Sequence, residues 1–205
     1  MTIRLNGSTS GYTEIDAPAV AGSNTLVLPT GNGSAGNILG TDGSGNLSWV
    51  NGQMVLATSQ ATTSGTSKDF TGIPSWAKRI TASFVGVSTN GSSIVQIQLG
   101  TSSGFVTSGY LGAATVSGVS TAYSSGILIQ QIGSSAYTRH GSIVINNVTG
   151  NTWAAFGVIA ISDQARTDFT AGSIALAATL TQLRITTVNG TDAFDAGTVN
   201  ILYEG

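Results

Sequence analysis

The sequence predicts an all-β protein, and three observations carry that prediction. Apolar and polar residues alternate at period two in run after run. Asn-Gly pairs and Ser/Gly clusters punctuate those runs, and no segment keeps a capped helical period. In SSIVQIQLG, Val95, Ile97 and Leu99 fall on one side and Gln96 and Gln98 on the other, the pattern of a half-buried strand. Many short strands without helices imply a two-sheet sandwich or jelly roll.

Taken in order, residues 1–52 stand apart. Short apolar pieces (YTEI, TLVLP, NILG, LSWV) alternate there with Gly, Ser and Asn turns, and each piece is too short to bury a face alone. The segment reads as a docking or shaft element ordered by copies of itself or by a partner. From residue 53 to 205 the pattern is regular, with strands expected in MVLATSQ, KRITASFVGVS, SSIVQIQLG, SGILIQQIG, HGSIVINNV, TWAAFGVIAIS, GSIALAATL, LRITTV and TVNILYE. Asn-Gly recurs at residues 6–7, 32–33, 51–52, 90–91 and 189–190, and the pair at Asn90-Gly91, between two strong runs, predicts a hairpin. ALAATLTQL is the nearest approach to a helix, a turn or so at most.

Charge narrows the function. Only 8% of the 205 residues are charged, against roughly a quarter in ordinary soluble proteins. From Ile80 through Thr138 there is no Asp, Glu, Lys or Arg. A net charge of -2 offers no basic field for nucleic acid or an anionic membrane, so neither is expected as a partner. No apolar run approaches the ~20 residues of a bilayer span, and the N-terminus has no apolar run of the secretory kind. Cysteine is absent, which removes disulfides and thiolate chemistry. A surface kept wet by Ser, Thr, Asn and Gln suits a homo-oligomer or a virion protein.

The block GYTEIDAPAVAGSNTLVLPTGNGSAGNILGTDGSGNLSWV resembles a segment of tail-fibre and other appendage proteins of tailed phages, especially marine and cyanobacterial ones. FTGIPSWAKRITASFVGVSTNGSS (70–93) and LTQLRITTVNGTDAFDAGTVNILYEG (180–205) resemble the opening and closing strands of a C-terminal domain in those proteins. Residues 99–162 carry no such likeness. The resemblance implies a homotrimer with a jelly-roll-like head and a short N-terminal segment that docks on other virion proteins. Its implied role is attachment to a host-surface glycan or protein, with a capsid decoration or head fibre as the alternative. It supplies no catalytic motif and no cofactor.

Candidate site residues follow from residue type. Tyr137, Arg139 and His140 lie together between an uncharged stretch and a strong strand, and Tyr110 and Tyr123 sit in Ser/Gly-rich segments nearby. Rings that stack on sugars and a guanidinium that forks hydroxyls make these five the expected receptor contacts. The alternative is that the tyrosines cap the core or the seam of a trimer. Asp192 and Asp195 are candidate metal ligands, but two carboxylates fall short of a calcium shell, and Asx beside Gly is what turns are made of; no bound metal is expected. As a glycosidase pair they would need a cleft that nine thinly spread carboxylates do not suggest. No enzyme is expected. Trp76 and Trp153 read as core or interface residues, and Trp49 as an anchor at the end of the N-terminal segment.

Overall fold

Among the described residues every regular element is a strand except one turn of 3-10 helix at Ser162–Gln164. The structure is a computed structural model and describes residues 3–20, 22–34, 36–50 and 54–205. The chain divides into two compact units, Met1–Gly52 and Gln53–Gly205. The Asn51-Gly52 pair lies outside the described residues.

The first unit holds two antiparallel hairpins. β1 (Ile3–Asn6) pairs with β2 (Tyr12–Ile15), and β3 (Ile38–Thr41) pairs with β4 (Leu47–Val50). Arg4 bonds Glu14 across the first hairpin and lies 4.1 Å over the Tyr12 ring. In the second, Asp42 accepts from the Ser44 N–H at 2.8 Å and the Asn46 amide at 2.7 Å, which closes the turn. Trp49 donates to the Gly31 carbonyl at 2.6 Å. No described residue of this unit is buried. Hydrogen bonds and turns hold its strands, and no core does.

The second unit runs β5 (Met54–Leu56), β6 (Gln60–Ala61), β7 (Ser67–Thr71), β8 (Arg79–Thr89), β9 (Val95–Thr101), β10 (Gly104–Phe105), β11 (Leu111–Val116), β12 (Val119–Tyr123), β13 (Ile127–Leu128), β14 (Arg139–Thr149), β15 (Thr152–Ile161), β16 (Arg166–Ala175), β17 (Gln182–Thr187) and β18 (Phe194–Glu204). The large sheet is ordered β12-β11-β16-β15-β14-β8-β18-β5, with β6 also on β18. The small sheet is ordered β10-β9-β17-β7, with β13 on β9. Every pairing within these two sheets is antiparallel. One core joins the two: Ile80, Phe84, Ile143, Ile145 and Ile159 of the large sheet are fully buried with Ile97, Leu99, Leu183 and Ile185 of the small one. Trp153 belongs to that core at 4% exposure, and Trp76 packs against it with its ring 5.7 Å from that of Tyr203.

Several expectations need correction. Asn90-Gly91 does not close a hairpin, because β8 and β9 lie in different sheets. The turn instead docks on the loop before β18: the Asn90 N–H donates to the Ala193 carbonyl, and the Asn90 side chain accepts the Ala193 N–H, both at 2.9 Å. ALAATLTQL forms no helix, and SGILIQQIG pairs only at Ile127 and Leu128. β9 is buried throughout rather than on one face, because residues around Ser125 cover Gln96 and Gln98. β7, β11 and β12 were not foreseen. Their residues (SKDFT, LGAATV, VSTAY) lack the strong apolar alternation that marks a strand, and their neighbours supply the pairing.

Gly141 marks the register shift between β14 and β8, with φ at +140° and the Val158 carbonyl oxygen 2.2 Å from where a Cβ would stand. Gly141→Ala would therefore combine backbone strain with overpacking at a central strand, at a cost above about 2 kcal/mol. A clear fall in thermal midpoint is expected. The comparison is Gly190→Ala, where φ is +69° but no atom lies within 4 Å of the added methyl; its fall should be smaller.

Candidate functional site

The residues expected to meet a receptor are mostly interior. Tyr110 is 1% exposed, accepts the Leu99 N–H at 2.7 Å and donates to the Val106 carbonyl at 3.1 Å. Burial pushes its hydroxyl up to about 12. Tyr123 is buried with its hydroxyl 3.4 Å from that of Thr170, and burial raises its pKa too. Both cap the core, which was the alternative reading from sequence, because an aromatic ring flanked by small residues is the largest apolar surface its neighbourhood can bury.

Arg139 is the largest correction. It is fully buried, and its guanidinium bonds the Gln130 amide oxygen and the carbonyls of Tyr137 at 3.0 Å, Ser134 at 3.2 Å and Val87 at 3.4 Å. No carboxylate touches it. Burial pulls its pKa down to about 10, so it stays cationic at neutral pH and tethers the 130–138 segment to β8. Tyr137 is half-buried, with the Arg166 guanidinium 4.7 Å above its ring; Arg166 in turn pairs with the fully buried Asp168 at 3.0 Å. His140, half-exposed at the start of β14, accepts the Gly86 N–H on Nδ1 at 3.2 Å.

Asp192 and Asp195 do not share a ligand shell. Asp192 accepts the Ser93 N–H at 2.8 Å and the Asn189 side-chain amide at 2.7 Å, while Asp195 lies within β18 and accepts the Ser88 hydroxyl. Asn189 caps the same turn through the Thr191 and Asp192 N–H groups. Among the described residues no three His, Asp or Glu side chains gather as for a metal.

What sequence reading missed is a polar groove of about 360 Å³ on the outer face of the small sheet. It grows from register. Asp69, Arg184 and Gln98 stand opposite one another on β7, β17 and β9, and Ser67, Thr186 and Gln96 form the next row. Arg184 clamps Asp69 through two bonds, Nε to Oδ1 at 2.8 Å and Nη2 to Oδ2 at 2.7 Å, and lies 4.1 Å over the Phe105 ring. Asp69 raises its pKa by that bonding, and the charged pair is locked and internally neutral. Ser125 ties the two glutamines together, its carbonyl accepting from Gln98 at 3.0 Å and its hydroxyl donating to Gln96 at 2.9 Å. Among the described residues, the Gln98 Oε1, the Arg184 Nη1 and the hydroxyls of Ser67 and Thr107 are left without hydrogen-bond partners. The arrangement presents fixed donors and acceptors without net charge. The signal for it was a glutamine pair at period two facing a lone arginine, legible only once the strands were paired.

Two stability tests follow. Arg139→Ala strips the Gln130 amide oxygen and the Tyr137 carbonyl of their hydrogen bonds and leaves a void, so a loss of at least about 3 kcal/mol in unfolding free energy is expected by denaturant titration. Asp192 and Asp163 both have lowered pKa values, Asp192 first through the Asn189 bond and Asp163 first through Thr138. A lowered carboxylate stabilises the fold above its unfolded value, about 4, and loses that contribution as pH falls through the folded value. The thermal midpoint should therefore drop from about pH 5 to about pH 3, and Asp192→Asn should make that drop shallower. The chain matches no protein-family model, no curated protein and no solved structure.

Proposed function

We propose that the protein is a virion appendage of a tailed phage, a short fibre or spike tip whose second unit is a homotrimeric jelly-roll head binding a neutral host-surface saccharide without covalent chemistry. The carrying observation is the groove of the small sheet. Its charges cancel within the Asp69–Arg184 pair, and apart from Val188 its remaining side chains are amides and hydroxyls. Such groups match the hydroxyls of a sugar, and fixed side chains on paired strands lose little entropy on binding. Three such sites on one head would gain avidity through effective concentration.

Support for the jelly roll comes from strand order. The chain passes from β7 in the small sheet to β8 in the large, back to β9, over to β11 and β12, back to β13, over to β14, back to β17 and over to β18. β17 inserts between β7 and β9, and β16 lies against β11. Repeated crossing with non-sequential antiparallel neighbours is what nested Greek keys require, and it supports that reading. Support for docking through residues 1–52 is the exposure of Ile3, Leu5, Ile15, Leu26, Leu28 and Ile38 in a unit where no described residue is buried. Those side chains gain a partner in an assembled particle.

The test is binding of the labelled full-length protein to intact candidate host cells and to neutral polysaccharide extracted from them. Gln98→Leu removes the free acceptor and should weaken binding at least about tenfold, the equivalent of one well-placed hydrogen bond, with the folded β-sheet signal retained. Selective binding by the unaltered protein that Gln98→Leu leaves unchanged would remove the groove from the reading. No binding at all by the intact oligomer would favour the capsid-decoration role.

A further inference from the structure

The outer face of the large sheet has an apolar centre on β15 and β16, where that of the small sheet is polar. Outward positions on β15 are Ala154, Phe156, Val158 and Ala160, and on β16 they are Thr167, Phe169, Ala171, Ser173 and Ala175. The register sets Val158 beside Phe169 and Phe156 beside Ala171, with Val144 of β14 next to Phe156 and Ala113 of β11 next to Ala171. These are not core residues: Phe156 is 52% exposed, Phe169 51%, Val158 42% and Leu111 73%. Across β12, β11, β16, β15 and β14 no outward position carries Asp, Glu, Lys or Arg. On the next strand, Arg79 pairs with Glu204 at 3.2 Å at the margin of the face.

We propose that this face is an interface between copies of this chain. Six strands from β12 to β8, spaced about 4.8 Å apart with roughly 3.3 Å rise per residue, span on the order of 700 Å². That is close to the ~800 Å² per partner that stable assemblies bury. A second copy is the occupant the charge pattern suits. Copies of one chain meet with equal charge, and a face whose only ion pair is already satisfied brings no repulsion and strands no unpaired ion on burial. Ala154, Ala160, Thr167, Ala171 and Ser173 around the two phenylalanines keep the surface shallow, so the rings supply the anchors and the small residues let the backbones approach. The inference rests on the oligomeric part of the reading above and is independent of the saccharide groove.

The experiment measures the mass of the full-length protein by light scattering, alone and as the Val158→Lys/Phe169→Lys variant. The unaltered chain should give a multiple of 20.6 kDa, and the variant should fall to one copy with its β-sheet circular dichroism intact. A two-copy mass would keep this interface and refute the trimer. An assembly that survives both lysines would overturn the interface. Because the chain has no cysteine, Ala171→Cys adds one thiol with little disturbance, and it reads the face even if the lysine variant misfolds. Its reaction with a maleimide should be at least about tenfold slower than that of Ser64→Cys, an exposed position before β7. Equal rates would overturn the proposal. So would a one-copy mass, whether the thiol then reacts freely or is shielded by residues 1–52 of the same chain.

Discussion

One apolar core shared by two antiparallel sheets is the constraint on which the second unit depends. Ile80, Phe84, Ile143 and Ile159 from one side meet Ile97, Leu99, Leu183 and Ile185 from the other, each fully removed from water. Because strand side chains alternate, filling that layer commits every second residue to it and releases the rest to two outer faces. The two faces then diverge in chemistry. One carries Gln98, Arg184, Asp69 and Ser67, and the other carries Phe156, Phe169, Val158 and alanines. The division gives the unit one polar outer face and one outer face with an uncharged apolar centre.

The scarcity of charge makes the polar groups that remain unusually interdependent. Arg139 is buried among neutral oxygens, Asp168 lies at zero exposure against Arg166 and the Gln131 N–H, and Gln96 and Gln98 are held beneath Ser125. In each case an amide or carbonyl supplies the satisfaction that a surface ion pair or water supplies elsewhere. Such networks fix loops that the composition alone would leave mobile. The 130–138 segment contains no strand, yet Arg139 ties it to β8 and Asp168 accepts its first free N–H nearby.

Much of the fold was legible in sequence, and the failures share a cause. The strong runs at 79–88, 95–100, 140–148, 152–161 and 198–204 announce themselves by alternation, whereas residues 194–197, expected in a turn, extend the last strand. Val95, Ile97 and Leu99 do face the core. β7, β11 and β12 do not announce themselves, because SKDFT, LGAATV and VSTAY have ordinary loop composition and become strands only where a neighbour offers backbone partners. The Asn90-Gly91 pair misled for the same reason. Its local preference is a tight reversal, but hydrogen bonds to Ala193 carry the chain across to the other sheet. Of the expected receptor contacts, Tyr110, Tyr123 and Arg139 were chosen for reactive shape in polar surroundings, and burial was the property composition did not display.

By itself the sequence determined the class of the protein: period-two patterning made it all-β, and the missing cysteines removed thiolate chemistry and disulfides from these residues. It also separated a first segment of short apolar pieces from a regular second part. Which residues face one another was decided only by tertiary structure. Asp69, Arg184 and Gln98 are far apart in the chain and form one row because β17 lies between β7 and β9. Phe156 and Phe169 become parts of one patch because β15 and β16 pair in a particular register. Alternation is a local property of side-chain direction, whereas register and sheet order are set by long-range pairing, and a site made of neighbouring strands exists only after that pairing is made.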